Sequence, residues 1–174
     1  DAKIRVKTIP MDHRIYTNGF LFSGLPGERK LDVSATAKYK IDKAYFRSIK
    51  QGKDIKLDDG SVIPNEELSL DPPLPKNYAY CSDTGYNEDI IPLIKGVDLL
   101  YHEATFLESE AHLAKKTKHS TARQAATIAK HANVSRLILG HFSTRYKSIL
   151  PFKEEAVEVF SNVDLADDGK IFEI

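Results

Sequence analysis

The sequence is short of several things, and each shortage removes a class of protein. It has one cysteine, Cys81, in 174 residues, so no disulfide can form within the chain. That usage suits a reducing cytoplasm. No apolar run approaches the roughly 18 residues of a membrane span. The opening residues, Asp1-Ala2-Lys3-Ile4-Arg5-Val6, lack the charged and apolar regions of a signal peptide. Net charge is missing too. Lysine plus arginine and aspartate plus glutamate are 25 each, so bulk charge points to no nucleic-acid partner and only local clustering can. There is no internal repeat, no low-complexity segment and no His-x-His pair.

What remains is enough for one domain with a real core. Lys3, Arg5 and Lys7 alternate with Ile4, Val6 and Thr8, the period of a half-buried strand ending at Pro10. A second short strand is expected around Gly19-Phe20-Leu21-Phe22. From 23 to 65 the character changes. Arg29, Lys30, Lys38, Lys40, Lys43, Arg47, Lys50, Lys53 and Lys56 accumulate there, with Tyr39, Tyr45 and Phe46 among them. Asp58-Asp59-Gly60 predicts a hairpin turn between two short strands. This segment reads as an insertion between 1–22 and 66–174. It is either a solvated excursion or an arm that grips phosphates with lysines and offers aromatic stacking faces.

Beyond it, apolar strands alternate with helices. Strands are expected over 77–82, 97–101 and 134–139. Helices are expected over about 87–95, 107–116, 151–161 and, capped by Ser120, through the stripe Ala122, Ala125, Ala126, Ala129 and Ala132. A closing hairpin-like pair is expected around Asp167-Asp168-Gly169. Cys81 falls inside a strand and reads as a small buried residue rather than a nucleophile.

The chemistry gathers where strands end. Tyr78-Ala79-Tyr80-Cys81-Ser82 runs into Asp83, Val97 to Leu100 into Tyr101, His102 and Glu103, and Leu137 to Gly140 into His141. In open α/β sheets, ligands bind at the carboxyl ends of strands. An aspartate with two or three neutral imidazoles suits zinc or another divalent first-row ion. Glu103 and His119 are candidates for proton transfer or for orienting a ligand. His112 and His131 fall inside predicted helices and read as surface or packing residues. For a two-metal centre the donors are too few.

Asp83-Thr84-Gly85, His102-Glu103-Ala104-Thr105-Phe106, His119-Ser120-Thr121 and His141-Phe142-Ser143-Thr144-Arg145-Tyr146 resemble, in order, the motifs of the ribonuclease Z family. Those enzymes are metallo-β-lactamase-fold endonucleases that trim the 3′ trailer of precursor tRNA. Asp12-His13-Arg14 with Gly19-Phe20 resembles the family's upstream metal-binding segment. The resemblance implies that His13 and His141 each bind one metal and that Asp83 bridges two zinc ions. Glu103 and His119, with His102 beside them, would handle protons at the leaving oxygen, and Ser143 and Arg145 would meet a phosphate. Segment 23–65, with Lys40, Lys43, Arg47 and Lys50, would be the tRNA-binding arm, although Lys40-Ile41-Asp42-Lys43-Ala44 stands where the family has a Gly-Pro pair.

The family's His-x-His-x-Asp-His motif does not occur, so the chain resembles the carboxy-terminal part of such an enzyme. The fold implied is α/β (α+β), half of an αββα sandwich: a mixed sheet with helices on one face plus the inserted basic arm. The expected partners are precursor tRNA, a missing amino-terminal half, and a second copy in a homodimer. The fragment is expected to be inactive alone. Two alternatives stay open: another phosphodiesterase of this fold, and a non-catalytic tRNA-binding or dimerisation module.

Overall fold

The computed structural model describes residues 3–174; Asp1 and Ala2, the first of the opening residues read above as no signal peptide, lie outside the described residues. The described chain forms two compact units. One comprises the residues up to Gly24 together with Lys76–Ile174, and the other is Leu25–Pro75.

The first unit is built on a six-stranded mixed sheet. Its strands are β1 (Ile4–Pro10), β2 (Asn18–Gly24), β7 (Asn77–Cys81), β8 (Leu99–Glu103), β9 (Leu137–Gly140) and β10 (Val163–Leu165), in that spatial order. β1, β2 and β7 pair antiparallel; β7 to β10 pair parallel. The parallel strands are joined by crossovers that carry the helices, as parallel pairing requires. Helices α3 (Ala111–Thr117), α4 (Ala122–His131) and α5 (Leu150–Val157) lie in those crossovers, and α4 and α5 pack on the sheet. The alanine stripe explains the close approach of α4: Ala122, Ala125, Ala126 and Ala129 are fully buried against Leu100, Leu137 and Leu139. Cys81 is buried in the same core, and burial pushes its thiol up to about 12.

The opposite face has no helix over it among the described residues. Register places Val6, Phe20, Phe22, Tyr78, Tyr80 and Tyr101 side by side there. Phe22 stacks on Tyr78 at 5.7 Å and Tyr80 on Tyr101 at 4.7 Å. Val6 is 52% exposed and Phe20 37%.

Several expectations need correcting. The helix expected over 87–95 is a 3-10 turn, Glu88–Leu93, because Pro92 lacks the N–H that a continuing α-helix uses. The segment Lys170 to Phe172 forms no strand; β10 instead pairs parallel with β9. The N-cap of α4 is Thr121, in a full capping box with Gln124, and not Ser120.

The second unit holds β3 (Lys30–Leu31), α1 (Val33–Lys38), α2 (Phe46–Lys50), β4 (Ile55–Lys56), β5 (Val62–Ile63) and β6 (Ser69–Leu70). β4 and β5 make the expected hairpin. The unit extends past residue 65 because β6 pairs back onto β3. It has its own core of Ile41, Ile49, Ile55, Ile63 and Leu68. Buried Asn65 ties this core together, donating to the carbonyls of Ile49 (2.8 Å) and Lys53 (3.0 Å). Lys40, Lys43, Arg47 and Lys50 are all exposed on this unit.

Candidate metal centre and acid–base pair

β7, β8 and β9 are parallel neighbours, so their carboxyl ends lie on one edge. Asp83, Glu103 and His141 follow from those ends, and His119 arrives from the loop before α4. Ligand atoms of Asp83, Glu103, His119 and His141 lie within 4.8 Å of one another. Asp83 and His141 both adopt left-handed backbone, with φ of 52° and 59°. Aspartate and histidine enter that region more readily than most residues, and here it turns the chain sharply where each strand stops.

Glu103 is fully buried, yet its carboxylate is crowded with donors. Oε1 accepts from the Thr84 N–H (2.7 Å) and His119 Nδ1 (2.8 Å). Oε2 accepts from the Ser120 N–H (3.1 Å), the Thr105 N–H (3.3 Å) and the Thr105 hydroxyl (2.6 Å). Burial pushes this carboxyl up, but the bonds from His119, Thr105 and Ser120 together outweigh it and hold the group below its ordinary range. Conversely, the bond to Glu103 raises His119 against the opposing effect of burial. With its lone pairs taken, Glu103 orients His119 and has little left to give a metal. Asp83, whose side chain is 45% exposed, is the carboxylate free to serve as a ligand.

Each histidine of the cluster region has its Nδ1 occupied. His13 Nδ1 lies 2.9 Å from the Lys118 carbonyl, His119 Nδ1 meets Glu103, and His141 Nδ1 lies 2.9 Å from Thr105 Oγ1. This leaves Nε2 of each ring as the available nitrogen, the pattern of metal-binding histidines. His141 Nε2 is 3.1 Å from Asp83 Oδ1. The His13 and His119 rings lie 5.0 Å apart, and those of His119 and His141 5.3 Å. Imidazoles and a carboxylate converging in this way fit a divalent first-row ion. His13 stands outside the converging group of Asp83, Glu103, His119 and His141, its ring beside that of His119; two bonds tie its loop to the end of β7, Asp12 N–H to Thr84 Oγ1 (3.2 Å) and Gly85 N–H to the Asp12 carbonyl (2.8 Å).

His102 does not join the cluster. Adjacent strand residues face opposite ways, and His102 shares its face with Cys81 and Leu139 in the helix-covered core. It is fully buried, its Nδ1 donates to the Glu103 carbonyl at 2.7 Å, and burial lowers its pKa. Ser143 and Arg145 lie on the loop after His141. Arg145 donates to Ser143 Oγ (3.2 Å) and to Glu110 (2.6 Å), and its guanidinium sits 5.0 Å over the Phe106 ring. His112 and His131 are exposed. A cavity of about 610 Å³ opens beside His119, lined by Asp12, Tyr86, His112, Lys115 and Lys118 among others. Sequence reasoning missed Thr84, Thr105 and Ser120 as contributors. They are ordinary residues whose part depends on strand register.

Residues 74–142 match the model of the beta-lactamase superfamily domain. The chain is 46% identical to ribonuclease Z of Parabacteroides distasonis over 97% of its own length and 56% of that protein. It therefore spans about half the length of the curated relatives it matches. Two crystal structures share the fold. The metallo-beta-lactamase fold protein YhfI from Bacillus subtilis is 19% identical with a TM-score of 0.64, over 98% of this chain and 50% of that one. Human tRNase Z, short form, is 24% identical with a TM-score of 0.54, over 100% and 44%. The fold is thus metallo-β-lactamase-like, and along nearly its whole length the sequence is similar to ribonuclease Z, with Asp83, Glu103, His119 and His141 all inside the stretch that matches the superfamily model.

Proposed function

We propose that this chain supplies one part of a zinc-dependent endoribonuclease that removes the 3′ trailer from precursor tRNA in the cytoplasm. The Glu103–His119 pair, 2.8 Å apart beside Asp83 and His141, carries this reading. A buried carboxylate holding one imidazole nitrogen leaves the other free to deliver a proton. In this reading Asp83, His13 and His141 hold the metal, which supplies Lewis acidity and charge neutralisation to a phosphodiester. His119 protonates the leaving 3′-oxygen through Nε2 while Glu103 fixes its tautomer and stabilises the imidazolium. Arg145, already oriented by Glu110 and Phe106, meets a phosphate oxygen together with Ser143. The exposed Lys40, Lys43, Arg47 and Lys50 grip the tRNA backbone.

Two four-coordinate ions require more protein donors than this cluster has. The chain alone therefore binds metal weakly and is inactive, and the aromatic face of Phe20, Tyr80 and Tyr101 receives a second layer carrying the other ligands. That layer is an amino-terminal half of the same fold or, without it, a second copy. The decisive experiment mixes this chain and zinc with precursor tRNA, with and without the amino-terminal half of the Parabacteroides distasonis enzyme. Trailer release is expected only in the mixture, and is expected to vanish with His119→Ala. Release by the chain alone, or none in the mixture, would overturn the reading. The aromatic face and the basic unit also suit a non-catalytic tRNA-binding dimer. Equal tRNA retention without cleavage in both mixtures would favour it.

A further inference from the structure

We infer that Thr105 is a positioning residue that fixes the tautomer of His141, so that one carboxylate, Glu103, orients both imidazoles of the site. Thr105 Oγ1 lies 2.6 Å from Glu103 Oε2, 2.9 Å from His141 Nδ1 and 3.1 Å from the His141 carbonyl. A hydroxyl has one proton and two lone pairs. Glu103 is held ionised by the donors around it, so a 2.6 Å oxygen–oxygen approach requires the hydroxyl proton to lie between Thr105 and Glu103. The proton is then unavailable to the His141 carbonyl. What Thr105 presents to His141 is a lone pair, and the 2.9 Å contact is satisfied only if Nδ1 carries a proton.

The consequence is a branched arrangement. Glu103 sets His119 directly, through Oε1, and sets His141 at one remove, through Oε2 and the Thr105 hydroxyl. Nε2 of His141 is thereby the nitrogen left for a ligand, and because it faces the Asp83 carboxylate at 3.1 Å, two acceptors, that contact calls for a bound cation or a second ring proton between them. Thr105 is 7% exposed, so water does not easily substitute for its hydroxyl. Its backbone reinforces the geometry: its N–H donates to Glu103 Oε2 and its carbonyl accepts from the Ser143 N–H at 3.1 Å. The proton placement stands on these distances; its importance for metal binding rests on the reading that His141 is a ligand.

The test uses the full chain, ¹⁵N-labelled and stripped with a chelator, with the His141 signals assigned by their loss in His141→Gln. Long-range proton–nitrogen spectra at pH 8 are expected to show a protonated Nδ1 on His141, with Thr105→Ser keeping the signal and Thr105→Val losing its protection from exchange. A bare Nδ1 in the parent chain would overturn the inference without any variant. So would a Thr105→Val spectrum unchanged from the parent while only the melting temperature falls, since that is a structural role. Zinc titration by calorimetry is the second arm. Thr105→Val is expected to weaken binding about 10- to 100-fold and Thr105→Ser to restore it, and equal affinity in all three proteins would sink the claim. If the parent takes up no zinc, the metal reading fails, while the Nδ1 signal still decides where the proton sits.

Discussion

Glu103 and His119 form a pair whose two members respond to pH from opposite sides. The carboxyl is depressed, so its contribution to stability is complete above the ordinary value of 4.5 and is lost as pH falls through the folded value. The imidazole is raised, so its contribution is complete below the ordinary 6.5 and is lost as pH rises through the folded value. The chelator-treated chain should therefore be most stable between about 4.5 and 6.5 and weaken on both sides. Glu103→Gln should flatten both limbs. It should also cost roughly 1–3 kcal/mol at the plateau, because a carboxamide cannot accept from every donor that now faces Oε1 and Oε2. Urea unfolding across pH measures both effects. Asp83, Glu103 and His141 were legible as site residues because each follows an apolar strand, and strand ends gather on one edge. His102 was not separable from Glu103, since two neighbours on a strand differ only in which face they take, and the face is set by pairing with Cys81 and Leu139.

Helix α4 shows how tertiary bonds choose among locally equivalent residues. Ser120 and Thr121 are both competent caps. Ser120 is committed elsewhere, its N–H to Glu103 and its hydroxyl to the Thr84 carbonyl at 2.8 Å, so the cap falls to Thr121. Thr121 also donates to Glu108 at 2.6 Å, binding the preceding turn to the helix start. Thr121→Ala should cost about 1–2 kcal/mol, read as a shift in the urea midpoint with the slope unchanged. At the end of β9 the constraint is space. A Cβ on Gly140 would lie 2.3 Å from the Tyr101 hydroxyl and 2.6 Å from its ring carbon Cζ, so the whole ring would have to move. Gly140→Ala should destabilise the chain by roughly 1–3 kcal/mol and shift the amide signal of neighbouring His141. The sequence marks α4 well because its alanines repeat at helical spacing. It marks the second unit poorly: Ile41, Ile49, Ile55, Ile63 and Leu68 are scattered among lysines, and no short-range period reveals that they meet.

For the whole molecule, the unbalanced feature is the sheet. One face is closed by helices and the other presents Val6, Phe20, Phe22, Tyr78 and Tyr80 in register. Contiguous apolar patches of this kind are interaction sites in soluble proteins. Sedimentation should show concentration-dependent association of the chain, and Val6→Lys with Tyr80→Lys should abolish it without loss of helical signal. A monomer at every concentration in the parent chain would count against that expectation.

The second unit leaves and re-enters the sheet at neighbouring points. The Gly24 N–H donates to the Lys76 carbonyl at 2.9 Å, and β2 pairs with β7 up to Ser23 and Asn77. A two-residue Asn-Gly turn can therefore join Gly24 to Lys76 as an ordinary hairpin. The shortened protein should keep the six-stranded sheet and its helices by circular dichroism and, under the proposed function, lose salt-dependent tRNA retention. This hairpin base is therefore a place where one whole segment of the chain can be exchanged for another. Segments of other length and charge can stand there without altering a residue of the edge that carries the candidate site.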